Sequence, residues 1–177
     1  MNFKLKKSEI LFRGKVFDLQ VDEIEYESGN IGIRETAIHP GGAVIVPITA
    51  ENKIIMVTQF RYPFKKFMLE LPAGKLDKGE DPYNCAVREL EEETGYKAGK
   101  IEKLGAICTT PGFCTEVLHI YLATQLQLGN HNREEGEYGM EVFKFFLSDV
   151  EEKIKKGEIM DAKSICGIHL ARLNRSH

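Results

Sequence analysis

Two short runs, residues 42–48 and 53–60, are almost wholly apolar, and a polar turn at Ala50-Glu51-Asn52-Lys53 separates them. Their length and β-branched content predict strands. Upstream, residues 16–22 alternate between apolar and polar, and residues 31–39 read as extended, so the first 60 residues form strands. A loop rich in proline and glycine covers residues 71–79. Residues 82–94 then predict a helix, because Asp81 is a good N-cap, Pro82 fits the first helical position and Gly95 is a ready C-terminal stop. At 100° per residue, Tyr83, Ala86, Val87 and Leu90 share one arc and are the expected buried stripe. Further strands are expected near 99–108, 117–125 and 140–147, and helices near 148–157 and 161–173. Strands with a few interspersed helices indicate a mixed α+β, layered fold. No repeat or linker interrupts the chain, so it reads as a single domain, 1–177, with N-terminal strands over 1–40 and a core over 41–177.

Composition narrows the function classes. A chain of 177 residues buries about 70% of the surface its unfolded form exposes, which needs no disulfide or metal to hold it together. Lys and Arg number 24 against 27 Asp and Glu, a formal net charge of −3. That near-neutral total excludes a protein that coats nucleic acid, and no basic tract suits RNA phosphates. No apolar run approaches the roughly 20 residues of a spanning helix, so no membrane partner is expected. The N-terminus has no apolar signal region, which points to the cytoplasm. Cys85, Cys108, Cys114 and Cys166 form no CxxC pair and lack zinc spacing, so they read as reduced thiols.

The acids are unevenly placed, and their placement carries the chemistry. Glu89, Glu92 and Glu93 are spaced i, i+3 and i+4, so their carboxylates converge near the end of the 82–94 helix. The arrangement is locally unfavourable. Glu89 and Glu93 repel by roughly 0.2–0.5 kcal/mol, and acids in the last turn face the negative end of the helix dipole at about 0.3–1 kcal/mol each. Local rules are broken at functional sites, and converging carboxylates suit magnesium, manganese or calcium. Arg88, four residues before Glu92, is placed to orient that carboxylate. Composition alone leaves a solvated acidic face as an equal reading. The Pro/Gly loop just before the helix tips the choice toward a divalent-metal site for phosphate chemistry.

From Gly74 to Tyr96 the chain resembles the Nudix box of the Nudix hydrolases. Gly74, Glu80, Arg88, Glu89, Leu90, Glu92, Glu93 and Gly95 match the box, and Tyr96 departs from it where an aliphatic residue is usual. Gln59-Phe60-Arg61-Tyr62-Pro63, Glu70-Leu71-Pro72-Ala73-Gly74-Lys75 and Thr110-Pro111-Gly112-Phe113-Cys114-Thr115-Glu116 resemble the ADP-ribose pyrophosphatase and nucleoside-diphosphate-sugar branch. Pro111 lies 16 residues after Gly95, a spacing that marks ADP-ribose hydrolysis in that family. The stretch Gly157-Glu158-Ile159-Met160-Asp161-Ala162-Lys163 also fits. The resemblance implies an α/β/α sandwich, a mixed sheet between helices, with an N-terminal antiparallel sheet.

The same resemblance implies Mg2+-dependent hydrolysis of ADP-ribose to AMP and ribose 5-phosphate, with Mn2+ as a substitute. Other nucleoside diphosphate sugars of the GDP-mannose or UDP-glucose type are the alternative substrates. A non-catalytic ADP-ribose sensor is a weaker third reading, because such modules lose box carboxylates and this chain keeps them. Carried over by position, Glu89, Glu93 and the Ala73 carbonyl are the implied metal ligands, with Glu92 in the metal set as the residue that serves a ligand or a bound water. Glu80 is expected to support the loop–helix junction by hydrogen bonding. The implied general base is Glu137, with Glu135 and Glu141 as rivals; a solvated charge run is the competing reading of that acidic loop. Arg61 is the expected phosphate contact, its alternative being a surface ion pair. Glu116 is expected at a ribose hydroxyl or a water, Phe17 and Arg34 around the adenine, and Glu70 with them in the substrate-binding set. For Phe17 a core position is an equal alternative. Cys85 and the histidines His39, His119 and His169 read as structural, and Lys75 and Lys163 as solvated. A homodimer with exchanged N-terminal strands completes the expectation.

Overall fold

The computed structural model describes residues 2–129 and 139–175. They divide into two compact units, Met1–Gly41 with Cys108–Val117, and Gly42–Ile107 with Leu118–His177.

The first unit is built on an antiparallel sheet, β1 (Phe3–Arg13), β2 (Asp18–Tyr26) and β3 (Ile31–Ile38), in the order β1-β2-β3. The strand expected from residue 16 starts two residues later. Residues 14–17 make the turn, in which the Gly14 N–H donates to the Phe17 carbonyl (3.2 Å) and to Asp18 Oδ1 (3.2 Å). Segment 108–117 docks on the end of β3: Ala37 N–H donates to Phe113 O (2.7 Å), and Thr115 N–H to Ala37 O (3.0 Å). Ile24 is the one buried apolar side chain among the described residues of this unit, while Phe3, Leu5, Leu11, Phe12, Ile31 and Ile33 are exposed.

The second unit contains β4 (Gly42–Pro47), β5 (Lys53–Arg61), a 3-10 turn (Tyr62–Phe64), β6 (Lys66–Glu70), β7 (Ala73–Lys75), α1 (Pro82–Thr94), β8 (Tyr96–Cys108), β9 (Val117–Leu128), β10 (Val142–Phe146), α2 (Leu147–Lys155) and α3 (Ala162–Arg175). One sheet has the order β7-β4-β9-β8, with β4 parallel to β9 and antiparallel to β7; the other is β10-β5-β6, antiparallel throughout. The apolar run at 42–48 lacks alternation because every residue of β4 is buried, as expected for a strand covered on both faces. Ala43 and Ile45 pack with Tyr121, Ala123 and the α1 residues Cys85, Ala86 and Leu90. Val44 and Val46 face the other way, with Ile120, Leu122, Val150, Ile168 and Ala171. Helices therefore cover both faces of a mixed sheet, the α/β/α arrangement the resemblance implied.

Two local expectations are corrected. The 71–79 segment is not wholly loop, because Ala73–Lys75 adds an edge strand on β4 through the pairs Gly42↔Lys75 and Val44↔Ala73. The buried face of α1 is not the arc of Tyr83, Ala86, Val87 and Leu90. Tyr83 and Val87 are exposed, and Cys85, Ala86, Glu89, Leu90, Glu93 and Thr94 are buried. The helix is turned so that two glutamates enter the interior, where backbone N–H groups and charge, rather than apolar contact, must satisfy them.

Both ends of α1 are closed as its sequence predicts. The Asp81 carboxylate accepts from Tyr83 N–H (2.9 Å), and Gly95, at φ 74°, returns its N–H to Glu91 O (2.8 Å). Among the described residues no helix is long and apolar enough to cross a membrane. Asp81→Ala leaves an N-terminal donor without its cap and is expected to lower stability by about 1 kcal/mol, seen as a lower urea midpoint with an unchanged slope.

Candidate active site

The edge strand β7 carries the site because α1 lies directly against its backbone. Glu93 is 2% exposed and Glu89 6%. Glu93 Oε2 accepts the Ala73 N–H at 3.0 Å. At Gly74 an added Cβ would stand 1.7 Å from Glu89 Oε1. Glycine is needed there for close approach, since any side chain would displace the carboxylate.

Arg88 gathers the remaining acids. Its Nε and Nη2 donate to the two oxygens of Glu80 (3.0 Å each), and its Nη1 donates to Glu89 Oε1 (2.6 Å) and Glu92 Oε2 (3.0 Å). The bond to Glu80, followed by the pull of Glu89 and Glu92, raises the guanidinium pKa further above its ordinary value. Glu80 is held below the usual carboxylate range, first by Arg88. It also accepts from Asp77 N–H (2.9 Å), closing the loop onto the helix. One guanidinium thus serves three carboxylates, and Glu93 is met from the backbone.

This donor set is all oxygen and partly buried, which suits a hard divalent cation. Among the described residues no three His, Cys, Asp or Glu side chains already converge as a metal-holding group. The acids are turned instead toward Arg88 and Ala73. The chemistry of the donors fits a cation, whose entry would exchange some of those contacts.

A second cluster occupies the ends of β5 and β6. Glu70, 2% exposed, accepts from Arg61 Nε (2.9 Å) and Nη2 (2.6 Å). Its Oε2 also pairs with Lys163 Nζ, which lies 2.9 Å from Asp161 Oδ2. Lys163 is therefore not a solvated lysine: a buried carboxylate draws its ammonium inward. Burial acts to raise the Glu70 pKa, but the hydrogen bond from Arg61 and the charges of Lys163 and Arg61 outweigh it and hold the group below the usual carboxylate range. Arg61 does form an ion pair, though with a buried partner rather than at the surface. It also feels the negative charge of Glu93, which relates this cluster to the first.

Glu116, Arg34 and Phe17 belong to the first unit. There Glu116 Oε1 is 3.3 Å from His39 Nδ1, which accepts from Gly41 N–H (3.0 Å). Arg34 donates to its neighbour's carbonyl, Ile33 O (2.7 Å), and to the Tyr26 hydroxyl, and it lies over the Tyr26 ring. Phe17 is 43% exposed, which removes the core alternative. Glu135 and Glu137 lie outside the described residues. Glu141 is tied to Thr58 through both backbone groups, its N–H to Thr58 Oγ1 (3.1 Å) and its carbonyl to Thr58 N–H (2.9 Å). Cys85 is fully buried, and burial, then Glu89 and Glu80, push its thiol up to about 12, so it stays protonated and packs. Residue types alone did not single out Asp161 or Lys163 for a role; their only signal was membership of the matching stretch near residue 160.

A family model described as the NUDIX domain matches residues 39–164. The chain is 43% identical to an ADP-ribose pyrophosphatase of Bacillus subtilis (strain 168), across 95% of this chain and 91% of that one. It is 40% identical to a methanol dehydrogenase activator of Bacillus methanolicus, across 98% and 94%. Among solved structures, one described as an ADP compounds hydrolase superposes with a TM-score of 0.86 over 97% of this chain and 93% of that one. At 20% identity, that likeness concerns the fold.

Because the folded-state value of Glu70 lies below its unfolded value, ionised Glu70 stabilises the fold at neutral pH. That contribution vanishes as the pH falls through the lowered value. Glu70→Gln removes the charge that Arg61 and Lys163 share and is expected to lower stability by about 3 kcal/mol at neutral pH. The gap to wild type narrows below about pH 4, as urea unfolding across a pH series will register.

Proposed function

The chain belongs to the NUDIX domain family, and from that premise we propose that it hydrolyses the diphosphate bond of ADP-ribose, giving AMP and ribose 5-phosphate, with Mg2+ as its cation. The observation that carries this reading is the seating of buried Glu89 and Glu93 against Gly74 and Ala73. It keeps a full set of box carboxylates on a backbone too close to accept a side chain. The name of the Bacillus subtilis relative, similar over nearly the whole of both chains, supports the choice of substrate.

Glu89, Glu92, Glu93 and the Ala73 carbonyl would hold the cation. When bound, the cation neutralises diphosphate oxygens and makes a water more acidic. Arg88 holds the carboxylates of Glu89 and Glu92 in position, and Glu80 fixes Arg88 from the loop side. Arg61 offers a guanidinium to a phosphate. Water attacks phosphorus, the bridging P–O bond breaks, and the water proton passes to a carboxylate. We assign that base to Glu137, as the sequence does; the paired backbone bonds of Glu141 to Thr58 count against the swing a loop base requires. Glu116 takes a ribose hydroxyl, and Phe17 and Arg34 take the adenine. The exposed apolar residues of β1 support a homodimer, and four free thiols support the cytoplasm.

Turnover of a panel of nucleoside diphosphate sugars with Mg2+ or with EDTA tests the reading. ADP-ribose is expected to be cleaved fastest, and only with metal. Faster GDP-mannose cleavage would move the substrate, and no metal-dependent P–O cleavage of any compound would remove the enzyme. Glu93→Gln is expected to lose about 10²-fold or more in kcat with its circular dichroism unchanged; activity within a few-fold of wild type would remove Glu93 from the ligands. Glu137→Gln near the wild-type rate would pass the base role to Glu135 or Glu141.

A further inference from the structure

Glu70 is a buried carboxylate held between two cations, and the chain of charges continues beyond it. Arg61 meets both oxygens of Glu70, Lys163 shares Oε2, and Lys163 in turn pairs with Asp161. Asp161 Oδ2 accepts from the N–H (2.9 Å) and Oγ (2.5 Å) of Ser164, in the first turn of α3. Ser164 Oγ then accepts the Leu71 N–H (2.7 Å), two residues before the Ala73 N–H that holds Glu93. Ser164 is wholly buried.

Stability does not account for this arrangement, since buried ion networks are often no better than apolar packing of the same volume. Placement of charge does. With Glu70 as its only partner, Arg61 would be neutralised within a bidentate pair and would attract a phosphate weakly. Lys163 supplies a second positive charge to Glu70, and the charge of Asp161 is met by the positive end of α3. Glu70 is thereby shared between two cations and does not answer to Arg61 alone. The Arg61 side chain is 36% exposed, and Nη1 has no hydrogen-bond partner among the described residues.

We infer that Lys163 is a positioning residue for the hydrolysis: by offsetting Glu70 from the α3 side, it fixes the guanidinium of Arg61 in one orientation and leaves its charge for the diphosphate. The inference rests on the reading given under Proposed function. Lys163 acts through Arg61 and touches no substrate.

The test is a double-mutant cycle of Lys163→Met and Arg61→Met, with Lys163→Arg as the conservative variant. KM and kcat for ADP-ribose at saturating Mg2+, Tm, and ADP affinity by calorimetry are measured on all of them. Lys163→Met is expected to raise KM about tenfold while kcat changes less than about threefold. In the Arg61→Met background it adds no further change in KM, because residues that share one ion network, here through Glu70, couple. Lys163→Arg restores most of the wild-type KM. An unchanged KM with only a lower Tm would reduce Lys163 to a structural role and overturn the inference. So would an equal KM increase in both backgrounds. Should Lys163→Met fail to fold, Lys163→Gln, which keeps a donor without the charge, takes its place with the same expectation. If the wild type cleaves no nucleoside diphosphate sugar, the functional reading fails on its own, and ADP affinity across the same cycle still decides the coupling between Lys163 and Arg61.

Discussion

The approach of α1 to the backbone of β7 is the constraint on which the rest of the second unit depends. Glu89 rests where a Cβ on Gly74 would be, and Glu93 holds the Ala73 N–H. For two carboxylates to enter the interior, the strand must present glycine and an unpaired amide at adjacent positions. The helix must also turn its acidic side inward. Cys85, Ala86 and Leu90 then anchor that rotation against Ala43, Ile45 and Tyr121. Arg88, left at the rim, becomes the shared partner of Glu80, Glu89 and Glu92. Packing and electrostatics are here one condition: a helix rotated by one residue would bury Val87 and lose the site.

Much of this was legible from residue order. The Asp81 cap and the Gly95 stop bound α1 where expected, because capping is local and each cap residue meets groups within a few positions of itself. The box carboxylates were legible for the same reason, being spaced on one helix. The face of α1 was not. Its apolar arc is narrow, and the sheet beneath it accepts Glu89 and Glu93 through contacts with a distant strand. Short β7 was hidden in a Pro/Gly-rich segment that reads as loop; pairing with β4 makes Ala73–Lys75 a strand.

Lys163 is the instructive failure. A lone lysine near the start of a helix looks solvated, and nothing within ten residues of it contains Glu70 or Arg61. Lys163 and Glu70 are separated by 93 positions, and only the closure of α3 onto the end of β6 brings them together. Likewise Arg61 had two readings, phosphate contact or ion pair, and the two are compatible. A guanidinium has five donors in a fork, so two can hold a carboxylate while others face outward. A near-neutral whole-chain charge says nothing of these arrangements, in which acids and bases alternate at contact distance.

The bond from Leu71 to Ser164 also spans 93 positions, and it has a consequence for the order of assembly. Contacts that distant form late, since the entropy of closing the loop has to be overcome before they return anything. A chain made from its N-terminus exposes the acidic helix and the Pro/Gly segment well before α3 exists to tether them. The segment carrying Ala73 gains its anchor only when the second unit closes. Competence for phosphate chemistry is then a property of the finished fold and not of the motif, and an unfinished chain carries the signature residues without the tether that aligns them.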